Sequence, residues 1–375
     1  MQRRRFLFAA ASAAMAAPFA GIAGCGDSSN GEPAPVPPSD VVLSLPKDMY
    51  LHVGAPTEWW WHTGTLVAGD RKFGFEINAA SFAQDGFAFT QVMLADVATQ
   101  RHFERTTPYL PPVFDPNRWA QSDVSQDWYA RLGDPEDRLA GFVAMDSPAA
   151  DPIRDIRVRA ALSDQKTLTP VTFDLTLSQE GRPFFVWGTG VNPDGPHTMD
   201  LDQNNFYFSL TRLHASGSIV VDGRAFDVSG VTWMDHEYGA FGTPANPVKW
   251  LLQDMQLDDG TCISNYVTIP DGSPALDQTV DSFATIQNAR GDIWFVRSLM
   301  TPIGRTWTSP ESGRTYFTQF RVEIPEFRAS FEVTALVDAQ EFFVPARSVY
   351  EGIAESVGTF RGRPVSGTAW IEQAL

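Results

Sequence analysis

Apolar and polar residues alternate with period two in many short stretches of this chain: Lys72–Phe82, Ile156–Leu162, Val171–Leu177, Phe206–Leu210, Ser218–Val221, Phe317–Ile324 and Ser330–Leu336. Successive side chains of an extended strand point to opposite faces, so each stretch predicts a strand with one buried face. Turn-forming residues separate the stretches: Ala68-Gly69-Asp70, Asp222-Gly223, Asp258-Asp259-Gly260, Asp271-Gly272 and Ser312-Gly313. Short strands at this spacing predict an all-β sandwich or barrel. No segment keeps a long 3.6-residue apolar period, so helix should be scarce.

An internal repeat organises the strands. Val228-Ser229-Gly230-Val231-Thr232-Trp233 recurs as Val365-Ser366-Gly367-Thr368-Ala369-Trp370, each after a Gly-Arg pair, Gly223-Arg224 and Gly362-Arg363. Upstream, Trp59, Leu66 and Gly69 have the same spacing as Trp250, Leu257 and Gly260. Each half is expected to open on a Trp-containing strand and close on a Gly-x-x-Trp strand, the two meeting near residues 238–248. The first half is longer, which predicts an insertion near 105–153. Pro108, Pro111, Pro112, Pro116, Pro135, Pro148 and Pro152 mark it as an irregular lobe able to cap a site. Closing an up-and-down barrel pairs its first and last strands, so residues 58–62 should lie beside 233–237.

Those two segments carry the candidate chemistry. In Glu58-Trp59-Trp60-Trp61-His62-Thr63-Gly64, alternation puts Glu58, Trp60 and His62 on one face and Trp59, Trp61 and Thr63 on the other. In Trp233-Met234-Asp235-His236-Glu237-Tyr238-Gly239, Trp233, Asp235 and Glu237 share a face opposite Met234, His236 and Tyr238. A carboxyl beside an aromatic wall holds its proton to higher pH and can serve as a general acid. The expected strand pairing would gather both segments into one constellation of acids, imidazoles and indoles. Adjacent Asp-His-Glu side chains diverge on a strand, and no His-x-x-x-His or Cys-x-x-Cys occurs, so no metal or cofactor is expected. A Gly-x-Ser-x-Gly elbow, a phosphate loop and a dinucleotide fingerprint are missing from the sequence. His52, His102, His197 and His214 stand in polar or turn contexts and read as surface residues.

Composition narrows the partners. The chain has 375 residues, 43% of them hydrophobic and 19% charged, which suits a globular protein of about two domains. Its formal charge of −17 would repel a phosphate backbone, so no nucleic-acid partner is expected. Residues 1–24 read as an export signal: Arg3-Arg4-Arg5-Phe6-Leu7 fits a twin-arginine start, followed by an Ala-rich apolar run. Ile22-Ala23-Gly24-Cys25 resembles a lipobox, which makes Cys25 a lipidation site and residues 25–44 a flexible lipid-anchored linker. The expected location is the bacterial cell envelope, exported and lipid-anchored on the periplasmic face. Cys262 is then left as a lone, buried thiol, with no disulfide framework.

Glu-Trp-Trp-Trp-His-Thr-Gly at 58–64, Trp-Met-Asp-His-Glu-Tyr-Gly at 233–239 and Trp-Leu-Leu-Gln-Asp-Met-Gln-Leu-Asp-Asp-Gly at 250–260 resemble the AttH/CrtC-like family, which includes carotenoid 1,2-hydratase. Trp61, and Tyr238 within Glu237-Tyr238-Gly239, depart from the usual motifs, and the likeness is closer to the exported AttH-like branch. The resemblance implies an all-β protein of two tandem lipocalin-like antiparallel β-barrels, residues 45–240 and 241–375, with the irregular insertion in the first. Two function classes stay open. One is an enzyme, of hydratase/lyase or cyclase/isomerase type, protonating an unsaturated terpenoid-, carotenoid- or lipid-like molecule. Asp235 would be its acid, with His236 or Glu237 tuning it and positioning water, and Glu58, Trp60, His62, Trp233, Tyr238 and Asp254 around the substrate. The other is a non-catalytic carrier of hydrophobic ligands, which needs the same apolar cavity but no perturbed acid.

Overall fold

The computed structural model describes residues 32–136, 141–196, 198–241, 248–269, 278–344 and 347–375. The expected export signal, Cys25, His197, the Asp271-Gly272 turn and the Gly242–Pro247 part of the expected junction lie outside the described residues.

The first sheet contains β1 (Thr57–Ala68), β2 (Arg71–Phe82), β3 (Phe87–Asp96), β4 (Arg101–Tyr109), β5 (Trp128–Leu132), β6 (Phe142–Ser147), β7 (Ile156–Ser163), β8 (Pro170–Gln179), β9 (Phe184–Phe185), β10 (Asn205–Val221) and β11 (Arg224–Gly239). The second contains β12 (Lys249–Leu257), β13 (Cys262–Ile269), β14 (Val280–Gln287), β15 (Ile293–Pro302), β18 (Gln319–Ile324), β19 (Ala329–Ala335), β20 (Glu341–Phe342), β21 (Val349–Phe360) and β22 (Arg363–Ala374), with β16 (Thr306–Thr308) and β17 (Thr315–Phe317) forming a separate hairpin. Helix among the described residues is limited to three-residue 3-10 turns.

Both sheets curl into antiparallel barrels. In the first the order is β4-β3-β2-β1-β11-β10-β8-β7-β6-β5, so β1 and β11 pair as barrel closure requires. Its two edges, β4 and β5, are not ladder partners. The barrel is nearly closed, and β4 is tied to the turn after β7: the Asp164 side chain accepts the Glu104 N–H at 3.1 Å, while Gln165 N–H donates to the Glu104 carbonyl at 2.9 Å. The second barrel closes fully through β19 and β21.

The repeat is visible in the registers. Trp60 stands opposite His236 in the first barrel, and Leu251 opposite Gln373 at the equivalent position of the second. The closing hairpins also match. Asp222 and Gly223 have φ of 51° and 77°, and Arg361 and Gly362 have 56° and 73°. Two consecutive positive φ angles match the right-handed twist of the flanking strands, which is why a glycine occupies the second place in both.

Each barrel interior is a packed apolar core. Phe73, Phe75, Trp128, Phe206 and Phe208 fill the first, and Leu251, Met255, Phe320 and Tyr350 the second. The insertion is part wall and part plug. β5 and β6 belong to the barrel, whereas residues 110–127 are irregular and send Phe114 and Trp119 into the core. That segment closes the first barrel's interior. The expected cap over Asp235 is not what it provides.

Between the barrels a third layer forms. Met93, Ala95, Val337, Phe342, Ile353 and Trp370 pack together there. The approach is close at Gly74, where a Cβ would stand 2.5 Å from the Ile353 Cβ.

Candidate functional site

The pairing of β1 with β11 decides which expected residues meet. Glu58 stands opposite Tyr238, Trp60 opposite His236, His62 opposite Met234, and Trp61 opposite Asp235. Directly opposite residues share a face. The expected single constellation therefore divides in two. Glu58, Trp60, His62, His236 and Tyr238 point into the first barrel. Trp59, Trp61, Trp233, Asp235 and Glu237 point outward, toward the second barrel. His236 cannot tune Asp235, because the backbone of β11 lies between their side chains.

The outward face meets its counterpart from the repeat. On β12 and β22, Asp254 stands opposite Trp370 and Leu252 opposite Glu372, so these four share the face turned toward Asp235. Glu351 on β21 stands opposite Glu372 and joins them. Carboxyls from both halves are thus enclosed in one layer between the sheets.

Each acid there has defined partners. Asp235 Oδ1 accepts from Ser209 Oγ at 2.5 Å and Trp233 Nε1 at 2.8 Å. Burial raises its pKa to about 6, and those donors restrain the rise. Glu237 accepts a hydrogen bond from Asn205 Nδ2. Its pKa is pushed up to about 8, by burial first and then by the charges of Asp235 and Glu372. Glu372 accepts from Trp250 Nε1 at 2.7 Å and is raised by burial to about 7. Glu351 accepts from Trp370 Nε1 at 2.8 Å, and burial holds it well above the usual carboxyl range. Asp254 is raised in the same way, with Oδ1 left without a hydrogen-bond partner.

This layer is not sealed. Trp61, Tyr207, Trp250, Tyr266 and Glu372 are half-buried, and Asp235 and Glu237 keep 8% and 7% of their surface accessible, whereas Trp60 and His236 on the opposite face keep none. The half-buried groups lie toward the Gly239 end of β11 and the Lys249 end of β12. At the other end Gln256 Nε2 donates to the carbonyls of Thr211 (2.7 Å) and Thr232 (3.0 Å), tying the sheets together. Cys262 is buried beside Trp187 and Trp233, as a lone thiol whose pKa burial raises to about 11.

The inward face has its own polar group, and it includes a residue read as surface. His52 is half-buried, stacked on Tyr238 with ring centroids 3.5 Å apart. Its Nδ1 lies 2.9 Å from Glu58 Oε1 and its Nε2 3.4 Å from Asp48 Oδ1. These carboxylates raise His52 to about 9 against the opposing effect of burial. His236 Nε2 is 3.4 Å from the same Glu58 oxygen. Among the described residues, His52, Glu58 and His236 are a group whose donor atoms, all within 4.8 Å of one another, could hold a metal ion. His62 is fully buried in the core and kept neutral by that burial, its pKa lowered to about 3. His102 has a buried Nε2, and burial lowers its pKa to about 3 as well. His214 is exposed, 2.8 Å from Glu180, as read from the sequence.

Two antiparallel barrels joined across a layer of buried acids define a tandem lipocalin-like protein. The chain belongs to the AttH-like family, whose profile matches residues 36–373. No curated protein sequence matches it. Among solved structures, a protein assigned as AttH from Nitrosomonas europaea superposes with a TM-score of 0.70 at 23% identity, covering 91% of this chain and 99% of that one. Kievitone hydratase from Nectria haematococca gives 0.69 at 18% identity, covering 92% and 96%. CghA gives 0.51 at 13% identity, covering 85% and 88%. At these identities the likeness establishes the shared fold.

Proposed function

We propose that this protein is a hydro-lyase-type enzyme that adds water to, or removes it from, an alkene of a hydrophobic small molecule, in the layer between the two barrels. The observation that carries the reading is one pair. Asp235 and Glu237 lie two residues apart on one strand face, with pKa values near 6 and 8, beside the indoles of Trp61 and Trp233. Two carboxyls pushed apart in this way divide the roles of base and acid near neutral pH.

In the hydration direction, protonated Glu237 gives its proton to one alkene carbon, leaving a carbocation on the other. Indole faces stabilise such a cation, by roughly 2 kcal/mol or more where water is excluded. Ionised Asp235 takes a proton from water as its oxygen bonds to the cationic carbon. Transfer of that proton back to Glu237 restores both groups, so the net change is addition of H and OH. This assigns the acid to Glu237 and the base to Asp235, reversing the order expected from sequence, because Ser209 and Trp233 both donate to Asp235 and favour its ionised form. The name of the kievitone hydratase that shares the fold supports the reaction class. The reading of residues 1–24 and Cys25 adds that the enzyme works at the cell envelope, tethered by lipid. Changing Cys25→Ser should then release it to the soluble fraction.

The test starts from ligand recovered from the purified protein by native mass spectrometry. That ligand is incubated with the protein in deuterium oxide. One solvent deuterium should enter a carbon of the product, and Glu237→Gln should slow this by about 10²–10⁴-fold. Recovery of the ligand unchanged after incubation with wild type would favour the carrier.

A further inference from the structure

We propose that His52, Glu58 and His236 form a binding site for a divalent metal ion of the zinc class at one end of the first barrel, with an open coordination position facing the adjacent pocket. The site is separate from the acid layer, since these side chains point away from Asp235.

The donor set is assembled from three places: the segment before β1, β1 itself and β11. His52 Nδ1 and His236 Nε2 stand 2.9 and 3.4 Å from Glu58 Oε1. In a tetrahedral zinc site with bonds near 2.0–2.2 Å, donors stand about 3.3 Å apart. Two imidazoles and one carboxylate, with a fourth position left open, are also an established donor set for zinc.

The outer atoms of all three donors are held in place. His236 Nδ1 is 3.0 Å from the Trp59 carbonyl oxygen, which can only accept. Nδ1 therefore carries the hydrogen and Nε2 presents its lone pair. His52 Nε2 faces Asp48, and Glu58 Oε2 accepts the His52 backbone N–H at 3.0 Å. Carboxylate or carbonyl partners on the far nitrogen of each histidine are how metal-binding imidazoles are oriented.

The near side is the part left unbalanced. His236 Nε2 is fully buried, has no hydrogen-bond partner, and aims its lone pair at a carboxylate oxygen. A proton on His52 satisfies Glu58 but leaves this nitrogen bare. A cation among the three satisfies every donor at once. His52 and Glu58 also line a pocket of about 290 Å³, together with Pro56, Ser81, Gln84 and Trp119. At the equivalent places in the second barrel stand Lys249 and Gln373, so the shared scaffold does not require this set.

The full chain, stripped with chelator and dialysed, is titrated with Zn²⁺ and separately with Co²⁺. One ion per chain should bind at micromolar concentration or below, and Co²⁺ should give the visible absorption of a four-coordinate N/O site. Glu58→Gln and His236→Gln should each weaken Zn²⁺ binding at least about a hundredfold, and Asp48→Asn by about tenfold. Far-UV circular dichroism and thermal melts establish that the variants are folded. Failure of wild type to bind, or undiminished binding by folded Glu58→Gln, overturns the site. So does a cobalt spectrum of six-coordinate type in the wild type, which requires no variant to fold.

Discussion

The two closing strands, β11 and β22, come from the same repeat and have diverged on one face more than on the other. Two residues past the shared tryptophan, each carries an acid facing the layer between the barrels, Asp235 and Glu372. On the opposite face β11 has His236 and Tyr238, where β22 has Gln373 and then ends, Leu375 following it in sequence. Asp235 and Glu372 thus mark the surface the two halves share, whereas Glu237, with Ala374 at the matching place, belongs to the first half. The imidazole and phenol belong to the first barrel alone. A site built from both halves gains what one barrel cannot supply. Several carboxyls are enclosed together, and each raises the proton affinity of its neighbours.

The largest effect should come from separating the two related acids. Asp235→Asn keeps shape while removing the base, and should lower turnover by about 10²–10⁴-fold. Ligand binding should stay within about tenfold, or ~1.4 kcal/mol. Glu372→Gln acts only through its charge on the pair and should cost no more than about tenfold in rate, read as a shifted pH profile. Equal losses for both would erase the distinction between the halves. The wild-type profile itself should be a bell with limbs near pH 6 and 8, where Asp235 ionises and Glu237 loses its proton.

A second test acts on the layer. Gly74→Ala sets a methyl 2.5 Å from Ile353 and must push β2 from β21. It should destabilise the fold by about 1–3 kcal/mol, read as a lower melting temperature. An unchanged melt would mean that the barrels are held elsewhere.

A third test follows the protons. Glu237 has a folded pKa near 8 and an unfolded value near 4.5. Between these values the folded chain keeps a proton that the unfolded chain has lost, so its contribution is lost as pH rises through 8. From pH 6.5 to 8 this amounts to ~2 kcal/mol. Glu104, raised by burial to about 8, acts in the same direction. The lowered histidines, His62 and His102, add slope only below about pH 6.5. Melting temperature should therefore fall between pH 6.5 and 8, and less steeply in Glu237→Gln. A flat or rising wild-type curve would contradict the buried neutral acid.

Much of this architecture was legible in the sequence. Alternation marked the strands, Asp222-Gly223 marked a hairpin, and closure placed 58–62 beside 233–237. The alternation within each segment was also right. What alternation could not supply was the register between them, because a shift of one residue exchanges every face. Trp60 opposite His236, rather than opposite Asp235, is what sends the histidine inward and leaves the acids outside. Glu351 gave no signal, since its role depends on Glu372 across a ladder. His52 gave none because it precedes its strand and meets Glu58 and His236 only after folding.

In this mechanism substrate is handled between the barrels. The most direct measurement is a crystal structure of Asp235→Asn with an apolar alkene ligand recovered from the wild-type protein. The ligand should lie between β1/β11 and β12/β22, with an alkene carbon about 3.5 Å from the Glu237 carboxyl. A ligand seated inside the first barrel, against Trp60 and His236, would contradict it.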